Sequence, residues 1–481
     1  MTIKHKIAPY LLTVGLLGGL SGCKLTQPIQ QKQAIETPEA FQGFSDSTGI
    51  AELKWDKVFK DKKLLALIDT ALANNLDLKM AMQRIEMART SVRMRKAAIL
   101  PSVQAEVSGG ARKFGDYTMD GVGNYDTNFS TNLDDDRLLP APILPDYFVG
   151  LKSSWEVDIW GKLKNRRKGA LYRLLATEKA RQAITTGLVA EVAQLYYDLV
   201  FLDTELDIIR KNIILQETAV ETITIQKEGG RANELGVRQF AAQLLNTKSL
   251  EVQFLQKIND TENRLNVLLG RFPEKIDRST SLEQTIALNA EAGIPASMLS
   301  RRPDVQQSLF MLSSYYADQQ AAQLALLPSL NITALLGFNA FKSNLLFSPG
   351  SLAYNALGGL TAPVINRIAL KSELKRAEAQ SQEALLAYNK VVLTSFQEVS
   401  TSLKRIQYTK RISDFKKQEV QVLQQAVATS QDLFLGGYAT YLEIIMAQKS
   451  VIEAELTLAE VQKEQYFALI ELYRSLGGGW E

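Results

Sequence analysis

The sequence predicts an α+β membrane protein built from two copies of one unit, each a pair of strands followed by a helical hairpin of unusual length. Three observations carry that expectation. First, the 481-residue chain matches itself at an offset of 207, pairing Gly229-Gly230 with Gly436-Gly437, Glu191-Val192 with Glu398-Val399, and Leu269-Gly270 with Leu476-Gly477. Upstream the offset becomes 227, pairing Leu100-Pro101-Ser102 with Leu327-Pro328-Ser329 and Asp77 with Asp304, so one connection is longer in the first copy. Second, four stretches of about ten residues alternate apolar and polar with a period of two. Third, proline is absent between Pro145 and Pro273 and again after Pro363. There the apolar residues step by threes and fours.

From the amino terminus, Lys4 and Lys6 precede an apolar run from about Ile7 to Leu20, and small residues then lead to Cys23. This reads as an export signal over 1–22, too short for a spanning helix. An N-terminal segment (23–60) precedes the first copy (61–272), a linker (273–298), the second copy (299–477) and a short tail (478–481). Each copy opens with a helix.

The first strand pair is expected at about 102–114 and 146–158. Val103, Ala105 and Val107 alternate with Gln104, Glu106 and Ser108; Tyr147, Val149, Leu151, Trp155 and Val157 alternate with Lys152, Ser154 and Glu156. The second pair, at about 329–339 and 352–364, offers Leu330, Ile332, Ala334 and Phe338, then Tyr354, Ala356, Leu360 and Val364. The connection from Gly115 to Pro145 is rich in Gly, Asn, Asp and Pro and reads as a long exposed loop, with Asp134-Asp135-Asp136 either a cation site or a solvated tip.

Between the strand pairs lie the helices. Leu188, Val192, Leu195, Leu199, Leu202, Leu206, Ile209 and Ile213 form a coiled-coil seam. The run from Lys162 to Glu228 would reach about 100 Å as one helix. Gly229-Gly230 ends it, and a return helix runs to about Leu269; the second copy repeats the hairpin from about Ala369, turning at Gly436-Gly437. Four strands with one apolar face cannot close a membrane barrel, which needs about eight. Open sheet edges in lipid would leave N–H and C=O groups unpaired. Strands that cross a membrane here must therefore share one barrel among several protomers.

Composition removes most chemistry. Cys23 is the single cysteine and His5 the single histidine. Downstream of the signal no histidine or second thiol remains for Ser-His-Asp or Cys-His catalysis, or for zinc. No phosphate loop appears. Without 1–22, 53 basic residues face 52 acidic ones, which gives no case for nucleic acid. The chain is expected not to be an enzyme, and to hold no cofactor or metal.

Leu20-Ser21-Gly22-Cys23 resembles the lipobox of bacterial lipoproteins, which implies cleavage before Cys23 and lipidation of it; the alternative is an ordinary signal that leaves a free thiol. More broadly, "SSWEVDIWGKLKNRRKGA" (153–170), "LSRRPDVQQS" (299–308), "LGGLTAPVINRIALKSELKRAEA" (357–379), "LFLGGYATYLEIIMAQKSVIEAE" (433–455) and "YRSLGGGW" (473–480) resemble the TolC-like outer membrane factors. The likeness is to the lipidated NodT type, which serves resistance-nodulation-division efflux pumps. That resemblance implies a homotrimer whose four strands per protomer make a 12-stranded β-barrel in the outer membrane. A long periplasmic α-helical barrel would continue it. The partners implied are a periplasmic adaptor (membrane fusion) protein, an inner-membrane resistance-nodulation-division transporter and outer membrane lipids. The activity implied is passive conduction of drugs or other toxic compounds. A type I secretion duct and a periplasmic coiled-coil scaffold are the alternatives.

The resemblance also places sites. A periplasmic gate would involve Glu443 and Met446, the second without the family's carboxylate, and Phe434. Three copies of Glu443 near an axis would raise its pKa by like-charge crowding; the alternative is a solvent-facing helix glutamate. Gly229, Gly230, Gly436 and Gly437 would allow tight turns through positive φ and dock the adaptor. Arg302-Pro303-Asp304 reads as a helix start with Ser300 as N-cap. Trp155 and Trp160 are either an interfacial belt or junction packing. The family's Asp-Gly-Gly is replaced by Asn366-Arg367-Ile368, which implies a different local turn.

Overall fold

The computed structural model describes residues 55–140, 142–279, 296–362 and 367–479. Cys23, the signal segment, Asn366 and most of the 273–298 linker lie outside those residues. In chain order the main elements are α1 (Lys62–Asn74), α2 (Leu76–Ala97), β1 (Ser102–Arg112), α3 (Met119–Thr127), β2 (Leu144–Val157), α4 (Lys162–Glu228) and α5 (Glu234–Leu268). Then come α6 (Pro303–Leu324), β3 (Ser329–Ala340), β4 (Leu352–Thr361), α7 (Arg367–Leu435) and α8 (Tyr441–Ser475). The described residues divide into two compact units, one within 88–174 and 311–385, the other within 55–87, 175–310 and 386–481.

The first unit holds a four-stranded antiparallel sheet in the order β1-β2-β3-β4. Its register sorts side chains by polarity. Val107 pairs with Val149, Val149 with Phe338, Leu151 with Leu336 and Leu336 with Tyr354, so these residues share one face. Glu106, Lys152, Thr333 and Asn355 occupy the other. A slip of one residue in any strand would mix the two sets. The apolar face is bare in the single chain, with Val107 80% and Tyr354 81% exposed.

The polar face also carries Leu335 and Leu357, opposite Lys152 and Thr333, and one covered aromatic ring. Phe148 is only 7% exposed because Gly150 and Gly337, paired across β2 and β3, leave room for its ring. A Cβ on Gly150 would lie 2.7 Å from Phe148 Cζ and 2.5 Å from Leu336 O.

The 115–145 connection is the long, largely exposed segment expected, but it contains a short helix. Thr118 Oγ1 accepts from Gly121 N at 3.1 Å and caps α3, which the Gly-rich composition concealed. Asn128 then bridges both backbone groups of Leu139. Asp134-Asp135-Asp136 lies at a single turn of 3-10 helix (Asp135–Arg137) where Asp135 O accepts from Lys342 Nζ; among the described residues no acidic group is arranged to hold a metal. At the exit of β2, Asp158 accepts from Leu163 N at 2.9 Å and Lys164 N at 2.8 Å, and so caps α4. Trp155 Nε1 donates to Ile99 O and Trp160 Nε1 to Pro328 O, at 2.9 and 2.7 Å, which ties both rings to the junction.

The second unit is helical. Every expected seam residue of α4, from Leu188 to Ile213, is buried, with Val192, Leu199 and Ile209 fully so. They pack with Phe59, Leu64 and Ile68 near the start of the unit, with Leu265 of α5 and its C-cap Leu269, and with Tyr473 of α8. Polar ties close this core. Tyr196 donates to Asp61 Oδ2 at 2.6 Å and accepts from Ser279 N; burial and then the Asp61 carboxylate push its pKa up to about 12. Arg278 bridges Asp203 and Glu262. Arg302, 3% exposed, donates to Ser475 O, Asp304 and Glu398 at 2.7, 2.7 and 2.8 Å.

This corrects the expected cap: Arg302, not Ser300, precedes the first helical residue Pro303, and Ser300 lies in the 3-10 turn Ala296–Arg301. The buried guanidinium needs those acceptors, and that demand outweighs the local preference for a serine cap. Among the described residues no helix is long and apolar enough to cross a membrane.

Candidate functional site

The hairpin turns are built alike. At the end of α4, Arg231 N donates to Gln226 O at 2.8 Å and Gly230 N to Lys227 O at 3.0 Å. At the end of α7, Tyr438 N donates to Leu433 O at 2.8 Å and Gly437 N to Phe434 O at 3.0 Å. Both are Schellman closures, which need the residue after the cap in the left-handed region. Gly230 (φ +72°) and Gly437 (φ +80°) supply it. Gly229 and Gly436 do not have positive φ, so the expectation for all four glycines is halved: the motif needs one left-handed residue, not two.

The return helices are capped at equivalent positions. Asn233 Oδ1 accepts from Gly236 N at 2.9 Å at the start of α5. At the start of α8, Thr440 N donates to Glu443 Oε2 at 2.5 Å, and the Thr440 hydroxyl bonds the same carboxylate. Glu443 is exposed, and the hydroxyl and then the backbone N–H of Thr440 hold its pKa below the usual glutamate value. The shift is opposite in sign to that expected from three crowded copies, because in one chain the capping bonds act alone.

Met446 is exposed one turn further along α8. Phe434 is half-buried and packs on the cluster of Ile223, Phe240, Ile444 and Ile445. The three gate candidates are therefore divided: two on the open surface and one in a small core. Leu435, Tyr438 and Leu442 add exposed apolar surface at the second turn.

A cavity of about 720 Å³ lies beside this core, between α4, α7 and α8. Leu215, Val427 and Val451 give it apolar walls. Gln216, 2% exposed, lines it with neither amide atom hydrogen-bonded, and Gln448 Oε1 is likewise unpartnered. Sequence reading missed both residues; the signal was an amide at a seam-spaced position, three residues after Ile213.

Comparison with known proteins matches the whole arrangement. A protein-family model described as outer membrane efflux protein matches residues 67–271 and again 294–478, one match per copy. The chain is 28% identical to the solvent efflux pump outer membrane protein SrpC of Pseudomonas putida, over 96% of each chain. It is 25% identical to the cation efflux system protein CusC of Escherichia coli O6:H1, over 99% of each. Among solved structures, one of CusC aligns with a TM-score of 0.82 at 25% identity, covering 95% of this chain and 100% of that one. The open-state MtrE outer membrane channel of Neisseria gonorrhoeae aligns at 0.81 and 23% identity, covering 95% and 99%.

Proposed function

The chain belongs to the outer membrane efflux protein family and is the outer membrane channel component of an efflux system, and from that premise we propose that three copies close one passive duct. β4 of each protomer pairs with β1 of the next, giving twelve strands. The observation that carries this reading is the open sheet: one continuous apolar face and two edges without a partner strand among the described residues. Lipid forbids such edges, and pairing between protomers removes them.

Cys23 carries lipid and anchors each protomer, as the name of a further relative, the probable outer membrane lipoprotein SilC of Salmonella typhimurium, suggests for that protein. The helical turns at Gly229-Gly230 and Gly436-Gly437 meet a periplasmic adaptor, and an inner-membrane resistance-nodulation-division transporter supplies the energy. No bond is made or broken in the cargo, which consists of drugs or other toxic compounds. Relatives named for solvent, toluene, pyoverdine and cation export match this chain over nearly its whole length, so cargo choice belongs mainly to the pump.

The test joins purified protein to the cell. Detergent-purified material is expected to have three-subunit mass and to conduct ions in planar bilayers. Deletion of the gene is expected to sensitise cells to at least one of a panel of solvents, drugs, bile salts and metal ions. A monomeric, non-conducting product would refute the duct. Normal resistance with lost protein secretion would transfer it to a secretion system.

A further inference from the structure

The strand register gathers a cluster of cations at one end of the sheet. Ser102 pairs with Ser154, Val157 with Leu330 and Ser329 with Thr361, so the start of β1, the end of β2, the start of β3 and the end of β4 lie together. Three of the four segments that leave this end, 89–101, 158–173 and 362–376, hold fourteen Lys and Arg against Asp158 and Glu373. Both acids are engaged, Asp158 as the cap of α4 and Glu373 with Arg376 at 2.6 Å. The fourth segment, the end of α6, brings Asp318, which is paired with Arg173.

A cationic excess remains. Arg93, Lys96, Lys164, Arg167, Lys371 and Lys375 are exposed and form no ion pair among the described residues. The opposite end of the sheet has the reverse sign: the 113–143 connection carries six aspartates against Lys113 and Arg137, and 341–351 adds only Lys342. Charge therefore changes sign across the apolar face.

We propose that this basic rim binds the headgroups of anionic phospholipids in the leaflet facing the periplasm; the proposal rests on the reading that the sheet crosses the outer membrane. The cations begin where the apolar residues stop. A headgroup layer is about 5–8 Å deep, and the first two turns of a helix leaving the sheet rise about 10 Å, so these side chains emerge at phosphate level. Long Lys and Arg stems reach that layer while their apolar parts stay against protein. Lys168 lies 5.8 Å from the Tyr172 ring centroid, and Trp160 is 41% exposed at the same end, the aromatic chemistry that favours a membrane interface. A polybasic rim at a lipid surface attracts phosphate with roughly 1 kcal/mol per cation. A soluble polyanion would not need the rim aligned with the edge of an apolar band.

The experiment uses the full-length protein in lipid nanodiscs that contain phosphatidylethanolamine with or without phosphatidylglycerol, read by thermal unfolding and by the lipid retained on extraction. Phosphatidylglycerol is expected to raise the unfolding temperature and to be retained at least about five-fold above its share of the disc, the factor given by about 1 kcal/mol at one cation. High salt should remove both effects. A Lys164→Gln, Arg167→Gln, Lys371→Gln, Lys375→Gln variant should lose both and unfold like the parent in phosphatidylethanolamine alone. Inorganic phosphate that reproduced the shift without anionic lipid would overturn the proposal in favour of a soluble anion. Equal retention of the two lipids, or retention unchanged by the four substitutions, would also overturn it. Conductance of the same preparations in planar bilayers separates the layers: a conducting channel without lipid preference sinks the rim alone, and a protein that never conducts sinks the duct.

Discussion

At Glu443 a single carboxylate illustrates two opposing fields. Its capping bonds favour the charged form, so that contribution to helix order is present above the ordinary glutamate range and fades as pH falls through the lowered folded value. Protection factors at the start of α8, in which the observed exchange rate is taken relative to the intrinsic rate at each pH, should fall on acidification, and Glu443→Gln should remove that fall. If three copies also line an axis, the same variant weakens cation preference in planar bilayers; an unchanged preference removes Glu443 from the gate. The turn glycines divide in a similar way. Gly437→Ala forces a side chain into the left-handed region and should cost about 1 kcal/mol. Gly436→Ala should cost less, because its φ is not positive and the tightest contact of the added Cβ, at 3.1 Å, is with the exposed Tyr438 ring. Paired thermal unfolding curves check the order. Equal losses would mean that the turn does not depend on handedness.

At the scale of the element, α4 shows a long apolar seam carrying a polar exception. Glu205 sits between Leu202 and Leu206, only 4% exposed. Burial above all, then the nearby acids Glu460 and Asp198, push its pKa up to about 7, while Lys463 and Lys257 oppose them. The folded protein therefore holds a proton that the unfolded chain releases from about pH 4.5 upward. Stability should fall as pH rises between about 4.5 and 7 and level off above that. Glu205→Gln should flatten this slope and stabilise the protein near neutrality, as read by urea unfolding across pH. An unaltered slope would assign the dependence to another group. Arg302 is the contrasting exception, since its charge is matched by Asp304, Glu398 and a carbonyl. A buried group that is matched holds the helix starts together, whereas one that is unmatched makes the seam sensitive to pH.

For the whole molecule, the two faces of the sheet make a directional prediction. Leu336→Arg places a charge in the middle of the apolar face and should cost about 2–4 kcal/mol in the bilayer, seen as loss of heat-stable trimer in outer membrane fractions. Thr333→Arg, on the other face, should assemble normally and shift conductance toward anions. If both variants assembled equally, the sheet would not face lipid.

Much of this organisation was legible in the chain. The self-match located two copies, the period of two located four strands, and the threes and fours from Leu188 to Ile213 named buried residues without error. These signals are local and repetitive, and burial against lipid or a partner helix imposes them on every residue of a face. What the tertiary structure alone decided involved partners distant in sequence. Ser300 looked like a cap until Ser475 O and Glu398 claimed Arg302, and Phe148 is covered because Gly150 meets Gly337 nearly two hundred residues away. The cationic rim likewise exists only once the register brings three segments together. Periodicity is written along the chain and can be read from it, whereas the pairing of one segment with another depends on a register that no short stretch contains.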